Sequence, residues 1–198
     1  MSEHLNFQTE EDISNYLRDF GIPVELWGQG STKTIGHLLK EINNGETILI
    51  QQGRELLRQV KFSAVRVAYR DSRDVYELVE DRQEFADGRV RRRDIGSSIC
   101  EKIQPKETPK EAAERGLLEE LKVHTKVRGG KEAEEIGESP SYPGLKTHYL
   151  RYDFNAELRQ GQFSLAGYVH SQDDKTTYFV WKKKKLTKDG QKSCAHER

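Results

Sequence analysis

Apolar residues recur at helical spacing in two stretches near the start of the chain. Ile13, Tyr16, Leu17 and Phe20 follow the i, i+3, i+4, i+7 rule and predict a helix over Thr9 to Phe20, capped by Thr9 and ended by Gly21 and Pro23. Ile35, Leu38, Leu39 and Ile42 do the same over Thr32 to Ile42, with Asn43-Asn44-Gly45 as the stop. Thr47 to Ile50 is a short strand candidate. From Val60 the period changes to two: Val65, Val67 and Tyr69 alternate with Arg66 and Ala68, as along a half-buried strand. Asp71 to Asp74 reads as a turn, Val75 to Val79 as a second strand and Asp87-Gly88 as another turn. Arg89 to Ile95 and Ser98 to Ile103 are short strand candidates, and Pro109 to Lys122 is a helix. The polar stretch that follows, with Gly129, Gly130, Gly137, Pro140, Pro143 and Gly144, reads as loop. His148 to Phe154, Tyr168 to His170 and Thr176 to Trp181 close the set of strands. The pattern divides the chain into a small α/β extension at 1–58, a larger α/β domain with a mixed sheet at 59–182, and a basic flexible tail at 183–198.

Composition narrows the function. Among 198 residues, 33 Lys and Arg balance 33 Asp and Glu, so no charge excess supports a nucleic-acid coat or a polybasic membrane binder; DNA is not expected, and RNA affinity would be weak. Two cysteines, Cys100 and Cys194, exclude a disulfide framework and a Cys-rich zinc site. No apolar run is long enough to span a membrane, and the acidic start MSEHLNFQTEED lacks a secretory pattern, so a cytoplasmic protein is expected.

The helix at 109–122 carries the chemistry. Thr108-Pro109-Lys110-Glu111 is a capping box with Pro at the first helical position. A wheel places Ala113, Leu117, Leu118 and Leu121 on one side and Ala112, Arg115, Gly116, Glu119 and Glu120 on the other. Two adjacent carboxylates near Glu107 suit a hard cation such as Mg²⁺, which takes oxygen ligands and keeps waters and substrate phosphates in its shell. A solvated face with an i,i+4 Arg–Glu pair is the plainer reading of the same spacing.

The segment Glu101-Lys-Ile-Gln-Pro-Lys-Glu107, seven residues, then Arg115-Gly-Leu-Leu-Glu119-Glu120-Leu-Lys-Val123 resembles a Nudix box: Gly, five residues, Glu, seven residues, Arg-Glu-apolar-x-Glu-Glu-x-Gly-apolar. Every spacing is kept, and Glu107, Arg115, Leu117, Glu119, Glu120 and Val123 match. Glu101 stands for the first Gly, Gly116 for the Glu after Arg, and Lys122 for the last Gly. The strands at 60–79 and the short strand before the box resemble the first half of a Nudix fold, and Tyr142-Pro143-Gly144-Leu145 resembles a loop of its nucleotide-sugar members. The resemblance implies an α/β/α sandwich with a mixed sheet. It also implies hydrolysis of a nucleoside diphosphate linked to another moiety, with Mg²⁺ or Mn²⁺ as cofactor. Glu119 and Glu120 would hold the metal, with Glu101 as a substitute ligand; Arg115 would orient Glu119, and Glu107 would support the loop. Loss of the glutamate at position 116 implies weakened catalysis, or an inactive module that binds a nucleotide, an RNA or a protein. A homodimer is compatible with the family.

Three further features have both a functional and a plain reading. Arg89, Arg91 and Arg93, placed on one face by alternation, would meet substrate phosphates or else guard a sheet edge. Glu132, Glu134, Glu135 and Glu138 would supply an extra ligand or base, or form a solvated acidic loop. Trp27 to Thr34 precedes a helix like a phosphate loop but lacks that motif, so a turn and cap beside a buried Trp27 is expected.

Overall fold

Strand β2, Glu55–Arg70, organises the molecule, and it starts five residues before Val60, where the alternating pattern begins. A computed structural model describes residues 7–30, 32–93 and 95–184. The elements are α1 (Glu10–Asp19), α2 (Ile35–Asn43), β1 (Ile48–Gln52), β2, β3 (Val75–Phe85), β4 (Val90–Arg91), β5 (Ile99–Lys102), α3 (Pro109–Leu121), β6 (Arg128–Glu138), β7 (Lys146–Leu158), β8 (Tyr168–Ser171) and β9 (Lys175–Lys184). One edge of β2 pairs in parallel with β7 from Arg58 to Tyr69. The other edge is shared by three antiparallel partners in turn: β1, then β5, then the first residues of β3. β3 then leaves β2 and pairs with β9, which carries β8. The result is a nine-stranded mixed sheet with helices, the mixed α/β class that the pattern predicts.

The two faces of β2 serve different cores, because side chains alternate along a strand. Val65 and Val67 join Ala113, Leu117 and Leu121 of α3, together with Leu78, Ile99, Phe154 and Phe179. Ser63, on the same face, donates to the carbonyl of Pro109. Leu56, on the other face, joins Ile13 and Leu17 of α1, Leu38 of α2, Trp27, Tyr142 and Leu145 in a second core. Arg58, two residues on, reaches Glu41 of α2 at 2.7 Å. Hence α2 and α3 cover opposite faces of the sheet. β5 repeats the arrangement: Glu101 faces α3, while the Lys102 ammonium meets Glu41 at 3.1 Å and Glu46 at 2.9 Å.

Several expectations are corrected. The stretch after α3 is loop only in part: Arg128–Glu138 is strand β6, paired with β7, while 139–145, with Pro140, Pro143 and Gly144, is turn as expected. β6 is an edge strand, exposed on both faces, so no apolar alternation marks it. α2 begins at Ile35, with Thr34 as its cap in a reciprocal bond with His37, rather than at Thr32. β4 spans two residues only, so the stretch Arg89 to Ile95 is not a strand of alternating faces. The strand expected to end at Trp181 continues to Lys184, where Lys183 and Lys184 pair with Asp74 and Glu77. The rest of the expected tail, 185–198 with Cys194, lies outside the described residues. β2 passes through positions 58 and 59 without a break. No helix among the described residues is long and apolar enough to cross a membrane.

Candidate functional site

Residues 101–123 form strand β5, a loop and helix α3. The Thr108 cap is closed by Glu111, and Pro109 starts the helix. The loop is fixed by Arg115. Its Nε and Nη2 donate to the two oxygens of Glu107 at 2.8 and 3.0 Å, and Nη2 also donates to the Lys102 carbonyl at 2.8 Å. Its Nη1 meets Glu101 at 3.0 Å and Glu119 at 3.4 Å. One guanidinium therefore gathers three carboxylates and a carbonyl, using the planar fork that lysine lacks. Its hydrogen bond to Glu107 is the largest influence raising its pKa, and the same bond holds Glu107 below the usual carboxylate range.

The departures from the box fit one another. Gly116 is buried, and a Cβ there would lie 3.1 Å from Glu101 Cβ and 3.3 Å from Ile99 Cγ2. The Glu101 side chain thus lies over Gly116, close to where a side chain at 116 would leave the helix. A carboxylate missing from the helix is present on the facing strand. The wheel is corrected accordingly: Ala112 and Gly116 are buried, while Leu118 turns outward. Lys122 adopts a left-handed conformation, φ 58°, as the C-cap of α3. That conformation costs a residue with a Cβ about 1–2 kcal/mol. Lys122→Gly is therefore expected to stabilise the protein by about 0.5–1 kcal/mol, read as a higher urea midpoint with an unchanged slope.

Electrostatically the site is crowded with acid. Burial, then Glu101 and Glu80, push Glu120 up to about 8, against the opposing pull of Lys175 and Arg93. Burial raises Glu101 as well, aided by Glu119 and Glu107 and opposed by Arg115. Glu80, its side chain 4% exposed, holds Arg93 through two bonds of 2.8 Å and belongs to this group, although nothing in the chain pattern marked it. Only its place on β3 beside β9 brings it there.

Of the expected arginine set, Arg93 pairs directly with Glu80 and feels the field of Glu120, and Arg91, next to it, feels Glu80 without a direct bond. Arg89 instead pairs with Asp87 at 2.6 Å and donates to the Gly30 carbonyl, and Arg91 lies 5.9 Å over the ring of Phe85. Glu132, Glu134, Glu135 and Glu138 are exposed along β6, with Glu134 against His148 at 3.0 Å. Tyr142 and Leu145 are fully buried, and Trp27 donates to the Pro143 carbonyl at 2.9 Å, so this loop builds the second core. The Gly28 amide donates to the Lys33 carbonyl, as in a turn, and the Lys33 amide donates to the Ser141 carbonyl far along the chain.

Among the described residues no three His, Cys, Asp or Glu side chains are gathered closely enough to cage an ion. Magnesium does not need such a cage, since one or two carboxylates plus phosphate oxygens and waters suffice. Glu119 and Glu120, with Glu101 across from them, would be the donors for such an ion.

No protein-family model and no curated protein sequence matches the chain. Solved structures that resemble it include the Ap4A hydrolase of C. elegans, 10% identical, covering 61% of this chain and 77% of that one with a TM-score of 0.37. The Nudix domain of Shewanella oneidensis NrtR, complexed with ADP-ribose, is 8% identical, covering 62% of this chain and 71% of that one with a TM-score of 0.35. DR0079 from Deinococcus radiodurans is 13% identical, covering 61% of this chain and 65% of that one with a TM-score of 0.31.

Proposed function

We propose that the protein is a divergent Nudix-type hydrolase of a nucleoside diphosphate linked to another moiety, with a rearranged carboxylate set. The observation that carries this reading is Glu101 lying over Gly116, in reach of Arg115. Glu101 puts a carboxylate on the facing strand at the one place where the helix lacks the glutamate of the box. Glu119 and Glu120 would hold Mg²⁺ or Mn²⁺ with the substrate phosphates. When bound, the metal supplies charge neutralisation and activation of water. The chain's own contribution is positioning. Arg115 holds Glu101 and Glu119 in one plane of charge, and Glu107 locks Arg115 to the loop. Half-buried Glu101, its proton affinity raised by burial, is the group in place to accept a proton from an attacking water. Arg93 offers a second cation toward phosphate, restrained by Glu80.

The test is chromatographic detection of nucleoside monophosphate, and of the other moiety as its phosphate, formed from a panel of nucleoside diphosphate compounds with and without Mg²⁺. Metal-dependent turnover is expected, and Glu101→Gln should lower kcat at least about tenfold with the fold intact by circular dichroism. Turnover that survives Glu101→Gln unchanged would remove that residue from the reaction. No turnover of any compound would point to a Nudix-fold binding module.

A further inference from the structure

A groove of about 1750 Å³ opens at the far end of the sheet, where β2 and β7 run out beside the α3–β6 connection. It shares no residue with the carboxylate site. Arg66, Arg70, Lys110, Lys126, Arg128, Arg159 and Lys184 line it, against Asp71, Glu77, Glu114 and Glu157. The chain's zero net charge therefore hides a local cationic excess, with a run of glutamates displaced onto β6. Two of these cations are committed, Lys184 to Glu77 at 3.2 Å and Arg70 loosely to Glu157 at 4.0 Å. Lys110, Lys126, Arg128 and Arg159 are exposed and have no ion-pair partner among the described residues. Lys110 sits in the first turn of α3, where the helix dipole disfavours a cation, so helix stability does not account for it. The volume exceeds the few hundred to about 1000 Å³ typical of small-ligand pockets. It suits an extended polyanion rather than one nucleotide. Arginine forks match phosphate oxygens in pairs, and Thr125 and Asn155 add polar groups between the cations.

We propose that this groove binds a single-stranded polynucleotide through its phosphodiester backbone. The proposal stands apart from the hydrolase reading, because its readout is binding and needs no turnover. The experiment is fluorescence anisotropy of the full chain with a labelled 20-residue oligo(U), its DNA counterpart and poly-glutamate, across a salt series. The variants are a groove set (Lys110→Glu, Lys126→Glu, Arg128→Glu, Arg159→Glu) and a control with the same charge change at exposed sites elsewhere (Lys40→Glu, Arg54→Glu, Lys61→Glu, Lys131→Glu). Expected are salt-dependent binding of oligonucleotide, a loss of at least about tenfold in the groove set, and a salt slope shallower by about 3, from about 0.7 per phosphate contact. The control set should keep most of the affinity. The RNA and DNA arms show which strand is preferred. Equal losses in both sets, tighter binding of poly-glutamate, or no binding at low salt would each overturn the proposal.

Discussion

Gly116→Glu, the change that restores the expected box sequence, is expected to damage the protein, and exchanging both residues is expected to undo the damage. A Cβ at 116 would lie 3.1 Å from Glu101 Cβ, an atom that cannot swing away because it belongs to the strand side of the contact. Overpacking of this kind costs about 1–3 kcal/mol, and the better helix propensity of Glu returns less than about 1 kcal/mol. A fall in Tm of several degrees should follow. The new carboxylate would also compete with Glu101 for Arg115, so the single variant should show no gain in turnover. In the exchange Glu101→Gly with Gly116→Glu, the strand makes room for the helix side chain. The carboxylate then projects from the face that carries Glu119 and Glu120. We expect the Tm to recover and kcat to return to about the wild-type level, because the exchange relocates the acid–base carboxylate without adding one. Thermal melts and nucleoside monophosphate formation by wild type, the single variant and the exchange decide it. A single variant more active than the exchange would mean that the two positions are not coupled.

The second large effect lies in the other helix layer. Glu41 of α2 is 7% exposed at its side chain and meets Arg58 at 2.7 Å, Lys33 at 2.6 Å and Lys102 at 3.1 Å. Arg58 is equally buried, and its guanidinium lies 5.0 Å over the ring of Tyr142. Glu41→Gln leaves that guanidinium buried without an anion, a change that costs about 3–5 kcal/mol when a buried pair is broken. A drop in Tm of about 10 °C is expected at pH 7. The pH dependence gives a second reading. Burial pushes Glu41 upward, but Arg58, Lys33 and Lys102 outweigh it and hold the carboxyl at about 2. With an ordinary value of 4.5 in the unfolded chain, the group stabilises the fold fully above that pH. The contribution is lost as pH falls from there toward about 2. The stability gap between wild type and Glu41→Gln should therefore narrow by about 3 kcal/mol over that window. A gap that stays constant with pH would mean that the ion pair is not what Glu41 contributes.

Local pattern carried much of the architecture. α1 and α3 lie where capping residues and helical spacing place them, and β5, β7, β8 and β9 were marked by their apolar runs. What escaped was set by pairing rather than by local composition. β6 is polar on both faces and exists because β7 offers it an edge. Leu118 belongs to the apolar side of the wheel but faces outward, because β5 crosses beside Gly116 and sets which flank of α3 is covered. In the site, fixed spacing brought out Arg115, Glu107, Glu119 and Glu120. The fit of Glu101 to Gly116 depends on the register between a strand and a helix, which no separation along the chain encodes. Glu80 enters through sheet topology alone, and the arginines at 89–93 separate because β4 ends after two residues.

Strand β2 also bears on how such a chain can be assembled over evolution. Positions 58 and 59 look like a seam when only periodicity is read, but they lie inside one continuous strand. Arg58 on one side of that seam is clamped by α2, and Val65 on the other is clamped by α3. A recombination joint placed there would split a strand whose two halves answer to different partners. A cut after residue 58 would leave Leu56 and Arg58 on one piece and the partners of Val65 on the other. A shorter relative without α1 and α2 must have another cover for Leu56 and Arg58, so insertions and losses in the lineage should cluster in the connections on either side of β2, not within it.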